Sequence, residues 1–485
     1  MTEASDNPAQ PTHGLDHREI LSIVLGVVLA MFVAALDQTI VSTALPTIGQ
    51  ELGDFEHMSW VASIYLLAAT AVTPLYGKFS DIYGRRIVLL SGIATFVLGS
   101  LACALAPTMM MLIGARALQG MGGGGLISLA QTIIADVVAP RERGRYQVYI
   151  AGVFMLSSLT GPLLGGVLTE YVHWSLIFWI NLPLGILAFA MSRRALRKLP
   201  RHDRHHKLDI GGAVLMTGAT ISLMLGLSYA GQSGHWLQWD VAGLFGLSLV
   251  LWAGFALRLR LAEEPLIPLD VLGNQVVRTG MLAACFGMGT YIGLNIYMPV
   301  YFETILHLNA EQSGRALIPL MVGTVIGATT SGRVMLHLRR YTLLPKTGLV
   351  AASLAMVSLA LWSGSMSFMM FESLLGCVSL GLGTLLPVTT VAIQNAVAPH
   401  QLGTTTGAMN FFRQLGGALV VTLFAAILFS SAAGPLEGGS NPHLRELVTA
   451  DRFQSMFLMA AGGFFLAFCF LMIMEERPLR GRGPS

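Results

Sequence analysis

An all-α integral membrane protein with about fourteen transmembrane helices is the fold class this sequence predicts, from composition, apolar spacing and charge placement. Of its 485 residues 54% are hydrophobic and only 11% charged, with a mean hydropathy of +0.66, whereas about a quarter of the residues in a soluble domain are charged. Apolar runs of roughly 20 residues, long enough to cross hydrocarbon, begin near Ile20, Trp60, Ile87, Met109, Tyr146, Trp174, Ile210, Val241, Gly280, Ala316, Thr347, Phe368, Thr406 and Phe453. With the N-terminus inside, about 24 of the 29 Lys and Arg fall in the tail and in the loops after the even-numbered helices. That imbalance predicts a multi-pass membrane protein with an even helix count and both termini cytoplasmic; the cell (inner) membrane is its expected location. The first run follows no basic start and is long enough to span, so it reads as a retained helix rather than a cleaved signal.

Internal repetition organises the runs. VAPRERG at Val138 to Gly144 returns as VAPHQLG at Val397 to Gly403, and GKFSDIYGRR at Gly77 is echoed by GRVMLHLRR at Gly332, at offsets of 259 and 255 residues. Duplicated helix bundles are a transporter signature. The predicted organisation is a cytoplasmic tail (1–19), a six-helix bundle (20–194), a cytoplasmic linker (195–209), an inserted helix pair (210–261), a second linker (262–279), a second six-helix bundle (280–475) and a tail (476–485).

Four motifs punctuate the first half. LDQTIVSTALP carries Asp37 in the first run; GKFSDIYGRR places Gly77, Asp81, Gly84, Arg85 and Arg86 between the second and third; LIGARALQGMGG puts Arg116 and Gln119 in the fourth; and the fifth carries Gly152 and then GPLLGG, with Gly161, Pro162, Gly165 and Gly166. In this order, with NFFRQLGG at Asn410 to Gly417, they resemble the major facilitator superfamily, specifically its fourteen-helix drug:proton antiporters of the EmrB/QacA type. Ile82 departs from the pattern, since the family's loop often has a basic residue there. The resemblance implies a major facilitator fold, a central cavity between two rocking halves, and a GPLLGG element that acts as a seal in antiporters.

The residues support a physical reading of their own. A charge at a helix centre costs about 2.5 to 3.5 kcal/mol on insertion scales, and such groups face a bundle interior or a water-filled cavity. Asp37 reads as a proton- or substrate-binding carboxylate, because burial favours the neutral form of an acid; a capping or snorkelling aspartate near the outer interface is the alternative. Arg116 reads either as a fixed positive charge beside that acid or as a helix tie to backbone carbonyls. Arg413 has the same two readings, with an inner-end position also open, and Gln119, Asn410 and Gln414 are candidate pocket donors. Asn295 is the repeat equivalent of Asp37, so the carboxylate is expected to be single. GPLLGG permits close helix packing, while Pro162 frees a carbonyl and bends its helix. Asp81 is expected to face the amides of Thr404, Thr405 and Thr406 when the inner side is shut.

Other chemistries are disfavoured. Gly120 to Gly125 satisfies G-x-G-x-x-G inside an apolar helix with no strand before it, and no phosphate-loop or G-x-S-x-G pattern occurs. The net charge of +3 points to no nucleic-acid partner, and the four cysteines are too dispersed for a disulfide framework or metal site. His202, His205 and His206 read as a solvated linker. The expected function is proton-coupled export of a small molecule, with no enzymatic activity and no cofactor. Its partners would be substrate, protons and the lipid bilayer, with a periplasmic adaptor protein left open. Symport or lipid movement on the same fold, or a sensor that transports nothing, are the alternatives.

Overall fold

Hydrocarbon offers no partner to a free backbone amide, so a chain this apolar must satisfy its main chain within helices. The computed structural model describes residues 16–54, 57–198, 208–233, 238–337, 340–429 and 449–479, and within them every regular element is helical. The first bundle is α1 (His17–Glu51), α2 (Met58–Tyr83), α3 (Arg85–Ala104), α4 (Met109–Val137), α5 (Pro140–Tyr171) and α6 (Leu176–Ala195, interrupted at Ile180). A hairpin of α7 (Ile210–Ser233) and α8 (Trp239–Leu261) follows. The second bundle is α9 (Gln275–Thr304), α10 (Ile318–His337), α11 (Leu343–Trp362), α12 (Phe368–Asn395), α13 (Leu402–Phe429) and α14 (Ala450–Ile473).

Thirteen of these are long and apolar enough to cross a membrane. The exception is α4, whose 29 residues reach about 44 Å at 1.5 Å per residue but whose hydropathy is lowered by Arg116, Gln119 and a run of glycines. Those glycines have a packing cause: side chains on Gly122 and Gly124 would collide with the backbone of Phe96 on α3 and of Ala69 on α2. Local chemistry sets the ends. Gly84, at φ 87, is the single residue between α2 and α3, a left-handed turn that a side chain would strain. Asn274 caps α9 by accepting from the Val276 amide at 3.0 Å, and Pro140 opens α5 where no amide partner is needed.

Each bundle has its own apolar core, around Val27, Met31, Leu89 and Leu126 in the first and around Leu294, Phe302, Leu349 and Phe457 in the second. They meet along two seams, α2 against α13 and α5 against α10. The hairpin sits on the first seam: α7 packs on both α2 and α13, Trp60 meets Tyr229 edge to face at 5.6 Å, and Trp252 meets Phe411 at 6.1 Å. A third cluster joins Met216 and Phe255 of the hairpin to Leu266 and Ile267 of the following linker and to Met409.

Both seams are closed at the face where α1 begins, the tail face. A side chain on Gly77 would collide with the Gly403 carbonyl, and one on Gly332 with the Gly144 carbonyl. These four glycines are the repeat positions exchanged crosswise: the end of α2 meets the start of α13, and the end of α10 meets the start of α5. The two echoes in the sequence thus mark two close backbone crossings between the halves at that face.

Candidate functional site

Asp37 lies 20 residues into α1, about 30 Å along its axis, and is fully buried. Its Oδ2 accepts from Arg116 Nη1 at 2.6 Å, and its Oδ1 accepts from Gln119 Nε2 and Asn181 Nδ2, both at 2.8 Å. Arg116 is held in turn. It donates through Nε to the Val61 carbonyl at 3.0 Å and through Nη1 to Gln119 Oε1 at 2.6 Å, and its guanidinium lies 4.3 Å from the centroid of the Tyr65 ring. Gln119 also reaches Ser100 Oγ at 2.8 Å, and the Cys103 thiol donates to Gln119 Oε1 at 3.5 Å, so this cysteine has a polar neighbour besides its packing role. A buried ion pair is tolerable only when its remaining donors and acceptors are matched, and here neutral amides match them.

All these partners belong to α1, α2, α3, α4 and α6. Asp37 and Arg116 thus lie within the first bundle in this conformation, a bundle interior being one of the two surroundings expected of such groups. The pair sits inside the first bundle because Asn181, Ser100 and the Val61 carbonyl complete its hydrogen bonding there. Asn181 and Ser100 escape sequence reasoning; a lone Asn beside the break in α6 carries the pattern of a helix cap. Asn295 is outside the cluster, donating to the Tyr291 carbonyl of its own helix at 2.8 Å.

A second polar group lies at the seam. Thr406, Asn410, Arg413 and Gln414, spaced as one face of a helix, give α13 a polar stripe. Asn410 Nδ2 donates to Gln131 Oε1 of α4 at 2.8 Å, while Gln414 accepts from Thr70 at 2.9 Å and donates to Thr73 at 3.3 Å on α2. Gln394 of α12 donates to Thr406 Oγ1 at 3.3 Å and to the Gln131 carbonyl at 3.4 Å. Arg413 turns towards α12, where Nη2 donates to Thr390 Oγ1 at 2.9 Å and Thr389 Oγ1 at 3.3 Å. It lies 11 residues into α13, about 16 Å from the tail face, and so at mid-span rather than at the inner end.

The tail-face gate is built on Asp81. Its Oδ1 accepts from the Gly403 amide at 3.0 Å and its Oδ2 from the Thr404 amide and hydroxyl, both at 2.7 Å. The expected partners Thr405 and Thr406 are replaced by Gly403, because α13 starts at Leu402 and its free amides come correspondingly earlier. Arg85 holds the carboxylate from behind, bonding Asp81 at 2.5 Å, Ser80 at 2.7 Å and Asp136 at 2.7 Å. Arg86 leaves its buried Nε without a partner. Arg143, in the first copy of the repeat, donates to the Ala135 and Val138 carbonyls at 2.5 and 3.0 Å and so closes α4.

GPLLGG packs on the Asp37 motif. Side chains on Gly161 and Gly165 would collide with Thr39 and Thr43 of α1, and Thr39 donates to the Ser157 carbonyl at 2.9 Å. Gly152 and Gly166 face open space, and Pro162 is exposed. No group of three metal-ligating side chains occurs among the described residues, and His202, His205 and His206 lie outside them.

Residues 27–421 match the family model described as Major Facilitator Superfamily. The chain is 31% identical over 427 residues to the multidrug transporter protein MdtP of Bacillus subtilis (strain 168), covering 88% of this chain and 78% of that protein. It is 33% identical over 405 residues to multidrug resistance protein 3 of the same organism, covering 84% and 79%. Its fold matches the human organic anion transporter MFSD10 with a TM-score of 0.69 at 16% identity, over 93% of this chain and 99% of that one. It matches the proton:xylose symporter XylE at 0.66 and 12%, over 96% and 98%. With a family match across most of its length, the buried charge pair and two bundles joined at glycine crossings, the chain belongs to the Major Facilitator Superfamily, whose members are membrane transporters and not enzymes.

Proposed function

We propose that this protein is a proton-coupled exporter of small molecules, a fourteen-helix antiporter of the EmrB/QacA type, oriented with the tail face towards the cytoplasm. Export is supported by its likeness to proteins named for multidrug transport. Counting α4 as a fourteenth span is supported by its packing against α2 and α3. The observation that carries proton coupling is Asp37, a fully buried carboxylate bonded to one guanidinium and two amides. Protonation would cancel its charge and leave Arg116 without a counter-ion, so the α1–α4 contact has two states of different electrostatics.

The helices holding the pair also hold both seams. Through Thr39, Gly161 and Gly165, α1 is fastened to α5, which crosses α10 at Gly144 and Gly332. On the other side α4 carries Gln131, bonded to Asn410 on α13, and packs on α2, which carries the Asp81 latch. A change at Asp37 thus acts on elements at both crossings. Protons arriving from outside would load Asp37 and favour substrate release there, and loss of the proton to the cytoplasm would reset it.

Asp37→Asn keeps the size but cannot ionise, and it should abolish proton-driven flux of substrate into inside-out vesicles. Because it leaves Arg116 buried without a counter-charge, which costs about 3 to 5 kcal/mol, Asp37→Asn with Arg116→Gln serves as the folded control. Full proton-driven flux in the double variant would remove Asp37 from the coupling step.

A further inference from the structure

Two arginines lie deep inside spans, and they are treated unequally. Arg116 has Asp37 at 2.6 Å. Arg413 is 92% buried, its exposure being 8%, and none of the described carboxylates pairs with it: its acceptors are two threonine hydroxyls and the Leu386 carbonyl, at 2.9 to 3.4 Å. Its Nε is buried with no partner at all. A guanidinium carries five N–H donors and keeps its charge under all physiological conditions. Three neutral acceptors on one nitrogen leave both the charge and most of the donors unmet.

Its surroundings show what would meet it. Asn410 and Gln414, three residues before and one after, are bonded across the seam to Gln131, Thr70 and Thr73. When the halves part along α2 and α13, both amides lose those partners, within one turn of the guanidinium on the same helix. The result is a cation at mid-span with two released amide donors beside it. Asp37 does not balance it, because Asp37 is already neutralised by Arg116 within the other bundle.

We propose that Arg413 receives a negative charge on the transported molecule, with Asn410 and Gln414 as flanking donors, so that the substrate is an organic anion, of which an aryl or alkyl carboxylate is the simplest form. A planar guanidinium matches a carboxylate in bidentate fashion, and a lipophilic cation would meet uncompensated like charge here. This rests on the reading of the protein as an exporter, but it concerns binding and is tested apart from flux.

The probes are 1-pyrenebutyrate, its methyl ester and 1-pyrenebutyltrimethylammonium, which share a ring system and differ in charge. Binding is followed by fluorescence to the full chain in lipid nanodiscs at neutral pH. The unmutated protein should bind the anion about tenfold or more tighter than the cation. Arg413→Gln should abolish that preference while leaving the ester unchanged, and Arg413→Lys should retain part of it. Three results overturn the proposal: preference for the cation, no binding of the anion, or an Arg413→Gln protein that binds all three in the original order. Equal weakening of all three probes in Arg413→Gln, as from a structural defect, also overturns it. In proteoliposomes, proton-driven flux of the cation or ester without anion preference would overturn the anion site and leave the exporter standing. Anion binding lost in Arg413→Gln, with no flux of any probe, would support the site and count against the exporter.

Discussion

Asp37 is held by three separate donors, and each can be removed alone. Arg116 provides the counter-charge, while Gln119 and Asn181 contribute neutral hydrogen bonds to one oxygen. A hydrogen bond to a charged group contributes about 1.5 to 3 kcal/mol. Asn181→Ala should therefore loosen the contact of α6 with α1 at Asp37 and slow proton-driven transport several-fold. Initial flux rates at equal amounts of inserted protein measure this, and an unchanged rate would make Asn181 a packing residue. The sequence makes Asp37, Arg116 and Gln119 visible because polar groups in an apolar run stand out against their surroundings. Asn181 and Ser100 stay hidden, since each is a small polar residue of the kind that caps or back-bonds in any helix. The Val61 carbonyl is backbone, which no pattern of side chains marks.

At the scale of elements, the start of α13 is clasped by a carboxylate and the start of α5 is not. The residue of the second half standing where Asp81 would, by the 255-residue offset, is Leu336, so the latch acts on one seam only. A carboxylate at a helix N-terminus contributes about 0.3 to 1 kcal/mol, and up to about 2 kcal/mol where partly buried. Asp81→Asn should raise the share of molecules open at the tail face several-fold. Thr405, fully buried beside the latch, offers the reporter: in a background without native cysteines, Thr405→Cys should be labelled several-fold faster when Asp81 is also replaced. Equal labelling rates would make Asp81 only a partner of Arg85. Much of this gate is legible beforehand, because glycine and charge cluster in a short loop between apolar runs. Its register is not, since the first turn of α13 follows a 3-10 turn at Pro399–Gln401 that sequence boundaries do not resolve. GPLLGG shows the same limit: small residues announce a close approach, but only the fold says that Thr39 and Thr43 are what approaches.

For the whole molecule, repeat and charge asymmetry together imply a sidedness that reporters can read. Fusions after Lys198 and after Arg480 should both report the cytoplasm and one near Gly438 the outside, the last two positions lying beyond the described residues; an external signal after Lys198 would break the even helix count. The duplication was readable from two short echoes because turns keep their glycines for backbone reasons, whereas apolar helix interiors tolerate many side chains of similar volume. How the hairpin docks could not be read the same way, since α7 and α8 are apolar all round and present no distinctive face. Its position has one more effect. The hairpin covers the α2–α13 seam through α7 and has no comparable packing on α5 or α10, so in a bilayer acyl chains would reach the second seam and meet α7 at the first. The transporter is nearly two-fold in its working core and one-sided towards lipid, so that a solute dissolved in the bilayer has one unshielded seam to approach and not two.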